Sequence, residues 1–191
     1  MKKQQPKKGQ YGYRDYHKKI EFLKIFIGFL FIGVLLCARL AVSQQAWKNI
    51  LTVSAILTVL PTANLASPFL ASLPYRTPKE DFYQALKPYE KQMAVLYDLI
   101  LTTKDFVLPM DGILVHPTGV YGYCINRKIQ VSKAESFLNE LFQAHRLDPH
   151  VKILTDEKMF FKRAASLKPA REYEDDGSVE YTVTLLKNLS M

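Results

Sequence analysis

Histidines and cysteines are the first residues to consider for chemistry. His116, His145 and His150 could ligate a metal ion, but their spacings fit no zinc motif. Two cysteines, Cys37 and Cys124, are too few for a disulfide scaffold, and we assign Cys124 to the core of a strand. The sequence contains neither a Gly-rich phosphate loop nor a nucleophile elbow. These residue types therefore predict no metal centre and no activated nucleophile.

Positive charge is concentrated at the N-terminus. The formal net charge is +8, and residues 1–24 carry eight basic side chains against two acidic ones. Residues 76–191 carry sixteen of each sign, whereas a nucleic-acid-binding domain should itself carry a basic excess. We therefore do not expect nucleic acid as a partner. Acidic residues directly follow the basic stretch at 162–171, which is typical of a solvated surface.

The N-terminal tail mixes lysines with tyrosines at Tyr11, Tyr13 and Tyr16. This composition predicts a disordered segment. Such a tail is suited to anionic lipid headgroups, or it serves only as a signal for membrane topology.

Two apolar stretches are long enough to cross a bilayer. Residues 22–42 form the first and reach about 31 Å as a helix, close to the hydrocarbon thickness. Gly28 and Gly33 are five residues apart and make no small-xxx-small face, so we expect the span merely to tolerate them. Residues 50–73 form the second stretch, which is uncharged, and Pro61 predicts a kink in it.

The basic bias predicts that both termini are cytoplasmic, with a tight outer loop between Arg39 and Lys48. A secretory signal peptide is a competing interpretation, because Ala38–Ala41 loosely resembles a cleavage site. The second uncharged stretch, which follows at once, favours a hairpin instead. A third interpretation has one span and a re-entrant or interfacial segment, for which Pro61 and Pro68 leave room.

Residues 76–191 combine helical and strand patterns. Apolar spacing predicts a helix over 78–97, and Ser132 with Glu135 forms a capping box that predicts a helix over 132–146. Short apolar runs predict strands at 99–102, 112–116, 120–125, 151–154, 159–165 and 179–186. Turn residues at 117–119 join two of these strands as a hairpin. The order is α-β-β-β-α-β followed by two strands, which predicts an α+β domain with a mixed sheet.

The stretch from Met110 to Tyr121, MDGILVHPTGVY, resembles the nuclease-related domain (NERD) family. That family belongs to the restriction-endonuclease-like PD-(D/E)xK superfamily. Its core runs hydrophobic-Asp-His, an apolar strand, Gly-Pro-Thr-Gly-Val-Phe, an apolar pair and Glu-x-Lys. The resemblance covers roughly residues 80–155 and implies a restriction-endonuclease-like fold.

In such nucleases the Asp and Glu share a divalent metal, usually magnesium, and the Lys helps to activate water. The resemblance places the Asp on Asp111, the Glu position on Cys124 and the Lys position on Asn126. Cys is a poor ligand for a hard cation, and Asn carries no positive charge. We therefore expect no catalysis, and no cofactor, from this trio.

Catalysis would need replacements for the missing groups. A migrated carboxylate at Glu135, with Lys128 or Lys133 as the cation, would restore the site, with magnesium as its cofactor. An alternative, purely structural role is open for Asp111. Asp-Gly is a sequence typical of turns, so Asp111 could simply mark the start of a strand.

The sequence thus predicts a basic cytoplasmic tail (residues 1–21), a two-helix transmembrane hairpin (22–73) and a cytoplasmic nuclease-like domain (76–191). We expect an inactive interaction or scaffolding module at the cell membrane. Its partners would be the lipid bilayer and an unidentified membrane or cytoplasmic protein. The sequence leaves open whether the chain also forms a homo-oligomer. The alternatives are a membrane-tethered nuclease with a rearranged site and an accessory role carried by the hairpin alone.

Overall fold

The structure, a computed structural model, describes residues 5–103, 106–125, 129–148, 150–174 and 176–191. The chain forms two compact units. One, the helical unit, is Asp15–Tyr75. The other, the globular unit, combines the residues up to Arg14 with Arg76–Met191. The N-terminal segment therefore belongs to the globular unit and not to a separate tail.

The helical unit is built on α1 (Tyr13–Ala41, whose first two residues belong to the globular unit) and α2 (Gln45–Ser72). Both helices are long and apolar enough to cross a membrane. Large apolar side chains such as Phe29 and Leu57 are exposed on them. A water-soluble helix would bury such side chains on one face, so this exposure is typical of lipid as the solvent.

Gly28 of α1 lies directly against Thr62 of α2. A Cβ atom built on Gly28 would lie 2.5 Å from Oγ1 of Thr62, which is buried. At Gly33, no atom of the described residues other than the nearby backbone of α1 lies within 4 Å of the corresponding position. The expectation that both glycines are merely tolerated is therefore wrong for Gly28, because a small residue is needed there for the helices to approach each other.

The described residues of the globular unit form a four-stranded sheet in the order β1-β2-β3-β4. Its strands are β1 (Ala94–Thr102), β2 (Val107–His116), β3 (Gly119–Tyr123) and β4 (Val151–Leu154). The pairs β1–β2 and β2–β3 are antiparallel, and β3–β4 is parallel. The predicted mixed sheet and the predicted hairpin of β2 and β3 are thereby confirmed.

In the part of the chain that the structure describes, four helices accompany the sheet: α3 (Glu80–Leu86), α4 (Val131–Ala144), α5 (Glu157–Ser166) and α6 (Ser178–Leu189). Short 3₁₀ turns lie at Lys87–Lys91 and Ala170–Glu172. The helix α4 is the crossover connection between β3 and the parallel strand β4. The predicted bounds of β4 at 151–154 are confirmed.

The sheet separates two hydrophobic cores. Successive residues of β2 point to opposite faces, so Ile113 packs in one core and Leu114 in the other. Phe142 of α4 and Leu186 of α6 join Ile113, whereas Phe160 of α5 joins Leu114. The helices therefore cover both faces of the sheet.

Three predicted elements and one predicted helix cap differ from the structure. The predicted helix over 78–97 ends in the 3₁₀ turn at Lys91, and β1 begins at Ala94. The predicted strand at 159–165 is α5, whose N-cap Asp156 accepts a hydrogen bond from the Met159 amide. The predicted strand at 179–186 is α6, with buried residues four positions apart. Gln130, and not Ser132, is the N-cap of α4.

A substitution pair tests the close approach of α1 and α2. Gly28→Ala should destabilise the helix pair by about 1–3 kcal/mol, because the new methyl group displaces Thr62. Gly33→Ala adds the same methyl group in open space and should be neutral or slightly stabilising. The measurement is SDS titration of the full-length protein in mixed micelles, followed by fluorescence of the single tryptophan, Trp47. Equal midpoints for the two variants would contradict the close packing.

Candidate functional site

Asp111 lies in the middle of β2, and its side chain is 3% exposed. Arg14 Nη1 lies 2.9 Å from Asp111 Oδ1. The amide of Ile125 donates to Asp111 Oδ2 at 3.0 Å. Both carboxylate oxygens therefore have partners within the fold.

Arg14 uses its guanidinium group to connect several parts of the globular unit. Nη1 also donates to the Arg76 carbonyl at 2.6 Å. Nη2 donates to the carbonyls of Met110 (3.0 Å) and Leu99 (3.3 Å). Leu99 and Met110 lie on the neighbouring strands β1 and β2, so both terminal nitrogens of the buried cation have acceptors, as a buried charge requires. Nε is buried without a hydrogen-bond partner among the described residues.

Asp98 is a second buried carboxylate beside the Arg14–Asp111 pair. The β1–β2 register places Asp98 opposite Asp111, and its φ of 58° is left-handed, a conformation that Asp tolerates better than most residues. Asp98 Oδ2 accepts hydrogen bonds from the Gly12 amide (2.7 Å) and Thr77 Oγ1 (2.9 Å). Oδ1 is buried without a hydrogen-bond partner among the described residues.

Electrostatics at Asp98 is dominated by burial. Desolvation raises the pKa of Asp98 above its ordinary value, and the charge of Asp111 adds to the rise. The positive charge of Arg14 and the hydrogen bonds from Thr77 and Gly12 oppose it. The cluster of Arg14, Asp98 and Asp111 thus holds two carboxylates around one cation.

The N-terminal segment, residues 6–14, is ordered on the globular unit, so the prediction of a disordered tail is wrong there. The Gly9 carbonyl accepts from the Tyr97 amide at 2.9 Å, next to Asp98 on β1. The Tyr11 ring stacks on Tyr83 with centroids 4.4 Å apart, and its hydroxyl donates to the Pro78 carbonyl. Aromatic burial and backbone bonding outweigh the disorder that the composition suggests.

The remaining nuclease candidates occupy separate places. Cys124 is fully buried in the core that contains Ile113. Glu135 Oε1 accepts from the Ile153 amide of β4 at 2.8 Å, and Lys133 is exposed on α4. Asn126 and Lys128 lie outside the described residues. Among the residues that are described, no three His, Cys, Asp or Glu side chains form a group that could hold a metal ion.

Each of the three candidate histidines has its own surroundings. His116 is buried, with Nδ1 2.7 Å from Thr118 Oγ1 and Nε2 2.9 Å from the Lys168 carbonyl, and burial lowers its pKa. His145 Nδ1 lies 3.0 Å from the Tyr181 hydroxyl. The His150 ring lies edge-on to Tyr121.

The sequence analysis did not identify Arg14 and Asp98, two members of the cluster, or Thr77, which donates a hydrogen bond to Asp98. One signal was available for Asp98, because it is a carboxylate inside the apolar run LYDLIL. Such residues are almost never fully buried unless they are paired. The sequence does not indicate which cation pairs with them, since Arg14 lies more than eighty residues away along the chain.

Removal of Arg14 tests the ion pair. Arg14→Met should lower the free energy of unfolding by about 3–5 kcal/mol, because Asp111 stays buried without its cation. Arg14→Met combined with Asp111→Asn should cost less than the two single changes added together. The measurement is denaturation of the full-length protein in detergent, followed by tyrosine near-UV circular dichroism. Lys7→Met, which removes an exposed charge nearby, should have little effect, and an equal loss in this control would contradict the prediction.

The raised pKa of Asp98 predicts a pH dependence. The folded protein keeps the Asp98 proton at pH values where the unfolded chain, with a pKa of about 3.9, has released it. The contribution to stability is therefore full below that value and is lost as the pH rises through the raised pKa. Asp98→Asn should abolish this decline, as measured by the difference in unfolding free energy from the wild type across the pH range. Asp148→Asn, at an exposed position, should retain it.

Comparison of the chain with protein-family models, curated proteins and solved structures finds no significant match. The resemblance to the nuclease-related domain family therefore stays a prediction that depends on residues 110–121.

Proposed function

We propose that the chain is a membrane-anchored binding protein, in which the hairpin holds a cytoplasmic interaction or scaffolding module at the bilayer. The observation that carries this proposal is that both oxygens of the Asp111 carboxylate have partners within the fold. Its two oxygens bind Arg14 and the Ile125 amide, so the carboxylate stabilises the fold instead of facing a substrate.

The two apolar helices support membrane anchoring. A contact between the two residues that flank the helical unit supports a transmembrane hairpin. Arg14 immediately precedes the helical unit, and Arg76 immediately follows it. The hydrogen bond of 2.6 Å from Arg14 Nη1 to the Arg76 carbonyl supports a topology in which both residues lie on the same side of the membrane. Two spans between these points would give that topology, whereas a single span would separate the two residues.

The proposed cytoplasmic side follows from the basic bias. Residues 1–24 carry eight basic side chains, whereas the loop between the helices has two, Arg39 and Lys48, at its ends. The asymmetry sets the orientation as the helices insert, so later burial of Arg14 in the fold does not cancel it. Both termini and the globular unit would then be cytoplasmic.

We further propose that the globular unit is a restriction-endonuclease-like fold without catalysis. The order α3-β1-β2-β3-α4-β4 is the order that the resemblance implies. A metal-dependent nuclease needs carboxylates that converge on one cation. Asp111 and Glu135 instead bind the amides of Ile125 and Ile153, which gives each a role in the fold.

The partner of the proposed interaction module would be a membrane or cytoplasmic protein, or a second copy of the chain.

Cysteine labelling in intact cells tests the anchored topology. In a Cys37→Ser background, Ser43→Cys in the loop between the helices should react with a membrane-impermeant maleimide from outside. Lys7→Cys should react only after permeabilisation, because the proposed topology puts it in the cytoplasm. The protein should also stay in the membrane pellet after carbonate washing and should dissolve in detergent.

Two outcomes would overturn the proposal. One is release by carbonate or external labelling of Lys7→Cys. The other is Mg²⁺-dependent cleavage of DNA by the purified full-length protein that Glu135→Gln abolishes. Loss of activity in Asp111→Ala would not suffice, because that change also removes the partner of buried Arg14.

A further inference from the structure

One face of α5 is exposed although it carries an apolar side chain. Met159, Lys162, Arg163 and Ser166 follow one another at helical spacing and are all exposed. Phe160 and other residues of the opposite face are buried in the core. Met159 keeps 54% of its surface exposed, so this face is an unusual mixture of cations and an accessible apolar group.

This face of α5 forms a groove with the neighbouring strands. The groove has a volume of about 380 Å³, and its other lining residues are Tyr121 of β3, Lys152 and Leu154 of β4, and His150. Its floor is apolar, and its basic groups are Lys152, Lys162 and Arg163, with His150 beside them. None of the described residues that line it carries a carboxylate.

Arg163 is held in place within the groove. Its Nη2 donates to the Tyr121 hydroxyl at 2.6 Å, and its guanidinium carbon lies 4.5 Å from the centre of the Tyr121 ring. Tyr121 is itself buried, so the ring is a fixed platform. A cation that is already positioned loses little conformational entropy when an anion binds.

Lys152 contributes less positive charge than its neighbours. Its Nζ lies 3.9 Å from Glu135 Oε2, whose carboxylate partly neutralises it. The positive charge available to a ligand is therefore centred on Lys162 and Arg163.

We propose that this groove binds an anionic membrane lipid, with its phosphate or carboxylate head at Lys162 and Arg163 and its chain against Met159 and Leu154. Charge complementarity requires an anion, and the apolar floor requires an attached apolar body. A volume of a few hundred cubic ångströms is typical of a small-ligand site, whereas a protein partner covers a much larger surface. The inference rests on the proposed membrane anchoring, which keeps the globular unit close to lipid.

The test uses full-length protein in maltoside detergent and a fluorescently labelled lysophosphatidic acid as the probe, with binding followed by anisotropy. Lys162→Gln/Arg163→Gln should weaken binding at least about tenfold, because two charge-assisted contacts are lost. Lys133→Gln/Arg171→Gln removes two exposed charges outside the groove and should change affinity less than about twofold. This matched pair also corrects for lipid that binds the apolar helices.

Further arms of the experiment separate the possible occupants. Labelled lysophosphatidylcholine, which has the same chain and a zwitterionic head, should bind at least about tenfold more weakly, since it adds a positive charge to the head. Glycerol 3-phosphate should compete poorly, because it lacks the chain. Equal competition by glycerol 3-phosphate would indicate a site for a free anion and would overturn the proposal. Stronger competition by a Glu- and Leu-rich peptide, or equal affinities of the two double variants, would overturn it as well.

The outcomes also distinguish this inference from the proposed function. If labelling and carbonate washing support anchoring while the two double variants bind the probe equally, only the lipid site fails. If the protein is released by carbonate but the groove still discriminates between the probes, membrane anchoring fails.

Discussion

The globular unit depends on a cation buried between two strands. Removing Arg14 and Asp111 from water costs several kcal/mol per ion, and their attraction offsets this only when the remaining donors and acceptors are also satisfied. The carbonyls of Leu99, Met110 and Arg76 and the amide of Ile125 supply most of those partners. One ion pair therefore fixes the N-terminal segment, the β1–β2 pair and the point where the chain re-enters the unit.

Hydrogen-bond partners within the chain also protect the two edge strands of the sheet. An edge strand exposes unpaired amides and carbonyls that invite association with other chains. Along β1, backbone groups bond to Gly9 and Met191, so the two ends of the chain cover it. Along β4, the amides of Val151 and Ile153 donate to Asn139 and Glu135 of α4. Glu135 is thereby explained as a cap of the sheet edge, independently of any metal.

Local sequence patterns predicted the features that depend on residues close together in the chain. The β2–β3 hairpin followed from turn residues, and Gly119, with φ of 137°, has the conformation that needs glycine. Two strand predictions failed because β-branched and aromatic residues suggested strands where helical spacing governs burial, at Phe160 and Ala164 in α5 and at Thr182 and Leu186 in α6. The partner of Asp111 could not be predicted, since it comes from a distant basic segment that composition makes look solvated.

The error at α5 also concealed the groove. Strand alternation would put Lys162 and Arg163 on opposite faces, whereas a helix places both on the face that carries Met159. Asp111 pairs with Arg14, Asp98 accepts hydrogen bonds from Gly12 and Thr77, and Glu135 caps β4. These acids therefore already have partners within the fold. Among the described residues, the basic side chains of α5 have no such role apart from the contact of Arg163 with Tyr121. Recognition by the globular unit is therefore better sought at its exposed cations than at the carboxylates from which the nuclease resemblance begins.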